Sequence, residues 1–232
     1  MATNAHQLKV STRRQLGPEA VTLRVSEIFY SLQGESLSSG CPTIFIRLTG
    51  CPLRCTYCDT GYAFTGGEHR KLSHILTEIS QYKTHYVTVT GGEPLAQPGC
   101  LNLLKSLCEL RYDVSLETSG ALDISQVDPR VSRVMDLKCP SSGEEKRNLY
   151  ANINQLRRAD QVKFVIGDRA DYEWARQKIA EYQLTDRCEV LFSPIWDTLE
   201  PRQLADWILH DLLQVRLQLQ LHKMLWGDVP GH

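Results

Sequence analysis

The sequence predicts an α/β fold: a partial, open barrel of about six βα units behind an N-terminal extension. Three observations predict it. Short β-branched runs alternate with longer amphipathic ones, the pattern of parallel strands joined by crossover helices. Six such units and a terminal strand fit within 232 residues, whereas a closed eight-fold barrel takes about 250. The first 20 residues, "MATNAHQLKVSTRRQLGPEA", contribute no apolar periodicity. The domain boundaries expected are therefore a flexible extension over 1–20 and one barrel domain over 21–232.

Taken in order, "TIFIRLTG" (43–50) is the first core strand and delivers a cysteine-rich loop. "RKLSHILTEISQY" (70–82) places Leu72, Ile75, Leu76 and Ile79 at helical spacing. "HYVTVTGGEP" (85–94) is a strand running into a turn. "GCLNLLKSLCELR" (99–111) is a helix with Leu101, Leu104, Leu107 and Cys108 on one face. "DVSLETSG" (113–120) and "RVMDLKCP" (133–140) are further strands, followed by a helix near Leu149 to Arg157 and the strand "DQVKFVIG" (160–167). "DRADYEWARQKIAEYQ" (168–183) is a helix with Asp168 or Asp171 as its N-cap. "CEVLFSP" (188–194) is a strand, and "EPRQLADWILHDL" (200–212) a helix with Pro201 at its first position. "RLQLQLHK" (216–223), which alternates apolar and polar, reads as a last strand.

Composition narrows the function. A formal charge of -1 and a pI near 6.7 give no global basic field, so direct nucleic-acid binding is not expected and a small-molecule substrate is. No run approaches the ~18 apolar residues of a membrane span. The N-terminus lacks the apolar core of a signal peptide, which points to the cytoplasm. Eight cysteines in such a chain do not suggest disulfides. Cys41, Cys100, Cys108, Cys139 and Cys188 are scattered singly and read as small buried hydrophobes.

Polar residues gather where barrel ligands bind, at the carboxyl ends of strands. The cysteine loop follows the first core strand, "TGGEP" ends the second, "ETSG" the third, "DLK" the fourth and "FSP" the sixth, while "QLHK" closes the last. Each feature alone is an ordinary turn. Their convergence on one rim is what carries weight.

"GCPLRCTYCDT" (50–60) spaces Cys51, Cys55 and Cys58 as C-x3-C-x2-C. A structural zinc wants four ligands. His69 and His85 are the candidates for the fourth, yet neither stands at a zinc-finger offset and there is no second C-x2-C. An iron–sulfur cubane held by three thiolates instead leaves one iron open, a place for the amino nitrogen and carboxylate of S-adenosylmethionine.

This spacing, with Tyr57 before the last cysteine and a "GGEP" turn some thirty residues on, resembles the radical S-adenosylmethionine superfamily. The resemblance implies a radical SAM core in which Cys51, Cys55 and Cys58 hold a [4Fe–4S] cluster. It also places Tyr57 near the adenine and the Gly91–Gly92 backbone at the methionyl ammonium. "EIFYSLQGES" (27–36), "FIRLTGC" (45–51), "CDT" (58–60), "DLKCP" and "LQLHK" are further similar to the 7-carboxy-7-deazaguanine synthase family, over roughly residues 25–226.

That likeness implies a lyase of queuosine biosynthesis, a tRNA modification pathway. It converts 6-carboxy-5,6,7,8-tetrahydropterin to 7-carboxy-7-deazaguanine and ammonia, with S-adenosylmethionine and Mg2+ as cofactors. By position, Leu32, Gln33, Gly34 and Thr90 contact the pterin and Arg47 pairs with its carboxylate. Thr60 offers an oxygen to Mg2+, while Lys138 and Ser193 join Gly92 at S-adenosylmethionine. Glu35 and His222 stand between a substrate contact and a structural role, and Asp59 and Asp136 orient neighbouring groups. The likeness also implies a homodimer, helped by apolar "RLQLQLHKMLW", and an external, flavodoxin-like electron donor. The short "GYAFTGGEHR" after Cys58 gives the cluster a reduced cover.

The residue types suit these roles. A glutamine amide can read a pterin edge with paired hydrogen bonds, a guanidinium is a planar fork for a carboxylate, and a hydroxyl oxygen suits a hard cation. A surface ion pair is the competing reading of Arg47. For the whole chain the rivals are a glycyl-radical activase, which shares the cysteine spacing, and a zinc-stabilised binding module.

Overall fold

The computed structural model describes residues 20–227, 229 and 231. The predicted extension therefore lies outside the described residues, Ala20 excepted.

The chain opens with β1 (Thr22–Leu32), β2 (Pro42–Leu48), β3 (Glu68–Lys71) and α1 (Leu72–Ile79). β4 (Tyr86–Gly91), α2 (Cys100–Glu109), β5 (Asp113–Thr118), β6 (Ser132–Asp136) and β7 (Gln161–Ile166) follow. Then come α3 (Arg169–Tyr182), α4 (Leu184–Arg187), β8 (Glu189–Pro194), α5 (Pro201–His210), β9 (Arg216–Leu217) and α6 (Leu221–Trp226). The sheet order is β3-β1-β2-β4-β5-β6-β7-β8-β9, so β3 and β9 are free edges and the barrel is open as expected.

From β2 to β9 every pairing is parallel. β1 is antiparallel to both β2 and β3, an edge the purely parallel reading lacks.

The strands explain their own two faces. Ile44, Ile46 and Leu48 of β2 are fully buried and join the core with Leu72, Ile75 and Ile79 of α1. The alternate residues, Phe45 and Arg47, face a cavity. The same alternation runs through Val87 and Val89 against Thr88 and Thr90, Val114 and Leu116 against Ser115 and Glu117, and Val162 and Phe164 against Lys163. Strands of a closed parallel sheet are usually apolar on both faces; here the inner face is wet.

Helices follow β4, β7 and β8, and of the expected helices one is replaced. β5 and β6 are followed by loops and 3-10 turns. The helix expected over 149–157 is a 3-10 turn, Tyr150–Gln155. Buried Asn152 ties this turn to the 120–124 loop: its Nδ2 donates to the carbonyls of Gly120 and Leu122, and its Oδ1 accepts from the Ile124 amide.

The last strand is also shorter than expected, two residues instead of 216–223, and Leu221 onward is helix. Gln218 N donates to Phe192 O, but the next rung needs a donor at Pro194, which has none. α3 agrees with its expectation and is capped by Asp168, whose side chain accepts from the Asp171 amide. In α2 the buried face is Cys100, Leu103, Leu104, Leu107 and Cys108, with Leu101 only partly buried. Of the scattered cysteines four are buried and Cys41 is half-buried.

No helix among the described residues is long and apolar enough to cross a membrane.

Candidate active site

The carboxyl ends of the parallel strands surround one cavity of about 880 Å³. All sixteen residues singled out in the sequence line it: Cys51, Cys55, Cys58 and Thr60; Leu32, Gln33, Gly34, Glu35, Arg47, Thr90 and His222; Tyr57, Gly91, Gly92, Lys138 and Ser193. His69 and His85 are not among its lining residues. His69 sits on the β3 edge, and His85 lines a separate hollow with Lys83 and Arg111. Among the described residues no group of His, Cys, Asp or Glu is arranged for a single metal ion.

The three half-buried thiols lie on the loop leaving β2. Residues 141–144 hold that loop from outside. Thr56 donates from N to Ser142 O (3.1 Å) and from Oγ1 to Ser141 O (2.7 Å), and the Arg54 amide donates to Glu144 Oε1. From inside, Glu93 N donates to Gly50 O at 2.7 Å. Burial pushes the Cys51 and Cys55 thiols up. Neighbouring acidic groups, Glu93 at Cys51 and Asp136 at Cys55, add to that, while Lys138 opposes it. A donor set of closely spaced thiols in partly apolar surroundings fits a cationic iron–sulfur centre.

The glycine turn packs directly against the end of β2 and the cysteine loop. Gly91 has φ +146°, and a Cβ there would lie 2.1 Å from Leu48 O; a Cβ on Gly92 would lie 2.3 Å from Gly50 O and 2.9 Å from Cys51 Cβ. Only glycine lets these carbonyls and the cysteine loop close together. Glu93 is fully buried and fixes the turn by accepting from Ser119 N (2.7 Å), Ser119 Oγ (2.5 Å) and Thr118 Oγ1 (3.0 Å). Nearby, buried Tyr57 Oη and Asp136 Oδ1 have no protein partner. Buried polar atoms are normally paired, so these two suit a polar ligand. Lys138 Nζ stands 2.8 Å from Asp136 Oδ2 and above the Tyr57 ring.

The opposite wall is lined by polar groups. Gln33 Nε2 donates to Thr88 Oγ1 (3.0 Å) and Glu117 Oε1 (3.4 Å), and Thr90 Oγ1 donates to Glu117 Oε2 (2.8 Å). Arg47 Nε donates to Glu27 Oε1 at 2.6 Å, and its guanidinium lies over Phe29 and Tyr62. Arg47 is largely buried in the cavity lining, Glu27 stands outside that lining, and the pair uses one edge of the fork. Thr60 has its hydroxyl 3.7 Å from Cys58 Sγ; a single hydroxyl suits Mg2+, which takes few protein ligands and keeps water and substrate.

The C-terminal segment closes the gap between the sheet edges. Leu221 N donates to Gly34 O (2.9 Å), Gln220 Nε2 to Glu35 Oε1 (2.9 Å), and Lys223 pairs with Asp59 at 2.9 Å. Gly34 lies so close under His222 that a Cβ would fall 1.9 Å from Nδ1. Burial holds the His222 imidazole below its ordinary value, with Glu35 and Asp59 opposing, so the ring is neutral near pH 7. At Asp59 burial raises the carboxyl, but Lys223, Lys163 and Gln220 outweigh it and the net shift is downward.

Sequence reasoning gave no role to Lys163, Glu117, Gln220 or Lys223, although Glu117 lies in the "ETSG" turn and Gln220 and Lys223 lie in the "QLHK" segment that it placed on the rim. A signal was present for the first two: in "VSLETSG" and "QVKFVIG" they occupy the polar phase of an alternation that a doubly buried strand would not show.

Comparison with known proteins agrees with this architecture. The Radical SAM superfamily profile matches residues 45–138. A 7-carboxy-7-deazaguanine synthase from Chlorobaculum tepidum is 45% identical over 209 residues, 88% of this chain and 94% of the relative. One from Thermoplasma acidophilum is 37% identical over 209 residues, 89% and 99% of the two chains. The crystal structure of QueE from Escherichia coli superposes with a TM-score of 0.73 at 24% identity, covering 87% of this chain and 95% of that one, which speaks for the fold.

Proposed function

The chain belongs to the 7-carboxy-7-deazaguanine synthase family of radical SAM proteins, and from that premise we propose how its residues divide the work. It is a lyase that contracts 6-carboxy-5,6,7,8-tetrahydropterin to 7-carboxy-7-deazaguanine with release of ammonia, in queuosine biosynthesis. A [4Fe–4S] cluster and S-adenosylmethionine, when bound, supply the radical chemistry, and Mg2+ supplies charge for the substrate carboxylate.

Cys51, Cys55 and Cys58 ligate the cluster, and the anchored loop sets their spacing. The Gly91–Gly92 edge, Lys138, Ser193 and Tyr57 hold S-adenosylmethionine. Arg47 turns its free terminal nitrogens to the pterin carboxylate while Glu27 steadies Nε. Gln33, Glu35, Thr90 and the main chain of Leu32 and Gly34 read the amide-and-amine edge. Thr60 offers its hydroxyl to Mg2+. Neutral His222 covers Gly34 and helps exclude water.

One observation carries this reading: three loop thiols and the pterin-reading set Gln33, Arg47 and Thr90 line a single cavity. The test is anaerobic reconstitution followed by addition of carboxytetrahydropterin and S-adenosylmethionine. Deazaguanine product is the expected result; its absence from iron-loaded protein favours the glycyl-radical activase.

The enzyme works in the cytoplasm as a homodimer, with electrons from a flavodoxin-like donor. Exposed Met224, Leu225 and Trp226 on α6 support self-association. A monomeric mass by light scattering overturns that part.

A further inference from the structure

A single cation joins the two walls of the cavity. Lys163 stands in the middle of β7, flanked by Val162 and Phe164, which are fully buried on the helix side. Its ammonium lies 2.7 Å from Glu35 Oε2 and 3.9 Å from Asp136 Oδ2. Glu35 follows Gln33 and Gly34 on the loop after β1; Asp136 ends β6 and also pairs with Lys138. Glu35 Oε1 accepts from Gln220, so both carboxylate oxygens are fixed by groups more than a hundred residues away. A buried carboxylate without such partners would be costly and free to turn. Held by them, it keeps one acceptor site on each oxygen.

We propose that Lys163 is a positioning residue of the reaction: it pins Glu35, and with it the 33–35 loop, to the sheet, so that a preset acceptor edge meets the pterin. Through Asp136 the same ammonium keeps that edge in register with the segment after β6 that bears Lys138. The inference rests on the proposed function, since it takes the pterin to be the ligand of that loop.

The test uses reconstituted holoenzyme and its Lys163→Met, Lys163→Arg and Glu35→Gln/Lys163→Met variants. Pterin and S-adenosylmethionine affinities are measured by anaerobic calorimetry, and 5'-deoxyadenosine released per product by chromatography. Lys163→Met is expected to weaken the pterin about ten-fold or more. S-adenosylmethionine affinity should fall far less, since the Asp136 contact is the longer of the two, and deoxyadenosine per product should rise because a misplaced substrate uncouples the reaction. Lys163→Arg retains the charge and recovers part of the affinity.

The double variant removes the uncompensated buried carboxylate, so it recovers thermal stability but not pterin affinity. Wild-type pterin affinity in Lys163→Met, or recovery of both properties in the double variant, overturns the inference alone. Failure of the wild-type holoenzyme to bind the pterin overturns the functional reading and this inference with it.

Discussion

Two walls of the same cavity are held together over different reaches of chain. On one, Cys51, Cys55 and Cys58 fall within eight residues, and the loop bearing them is anchored by main-chain bonds and by the glycine turn. On the other, Glu35 meets Lys163 and Gln220 across 128 and 185 residues, and Lys223 reaches back to Asp59. The thiols of the first wall are local in sequence, and although Glu93 and residues 141–144 anchor their loop, the Cys55 thiol takes no part in those anchors, so its chemistry and the folding are separable. The second exists only once the open sheet has brought its edges together, so substitutions there change ligand binding and assembly at the same time.

The sharpest way to break this contrast is Cys55→Ala. The thiol takes no part in the bonds that anchor the loop. The variant should unfold within about 1 kcal/mol of the parent while losing the cluster absorbance and all turnover. Wild-type activity would remove the cysteines from the chemistry.

Gly92→Ala comes next, because a Cβ would press on Gly50 O and Cys51 Cβ. A loss of about 1–3 kcal/mol in stability is expected from the overpacking, together with loss of S-adenosylmethionine binding by calorimetry. Unimpaired binding would show that the turn has room to spare.

Arg47→Ala should cost the pterin about 1.5–3 kcal/mol of binding, the range for a charged hydrogen bond, and S-adenosylmethionine far less. Equal losses for both ligands would count against its assignment to the substrate wall.

Lys223→Met has the smallest expected effect, about 0.5–1 kcal/mol at pH 7, because Asp59 is partly exposed. Its sign with pH is fixed. The folded Asp59 carboxyl lies below its ordinary value, so the pair contributes above about pH 4 and is lost as pH falls through the lower folded value. Denaturation curves of parent and variant should converge as pH drops below that point. A gap that stays constant would mean that Lys223 stabilises through another contact.

Much of this architecture was legible because its signals are local. The six core strands of the sheet, the cysteine loop and the glycine turn each follow from a few consecutive residues. The departures involve distant groups. The segment expected as helix near Leu149 to Arg157 is a 3-10 turn that Asn152 ties to the carbonyls of Gly120 and Leu122. "RLQLQLHK" alternates like a strand, yet Pro194 of the neighbouring strand offers no N–H to continue the ladder. Lys163 went unread, and Glu117 was noticed only as part of a turn, although their strands alternate, because a parallel strand is ordinarily expected to be apolar on both faces.

By itself, then, the sequence determined the alternation of strand and helix, the thiol spacing and the place of the glycine turn, each written within a dozen residues, while the backbone of Leu48 and Gly50 is what admits only glycine there. Tertiary structure alone decided which charges meet. A lysine on β7 carries no information about Glu35 until the sheet curves and the C-terminal segment crosses its gap, because an ion pair depends on distance in space, and chain separation does not encode it.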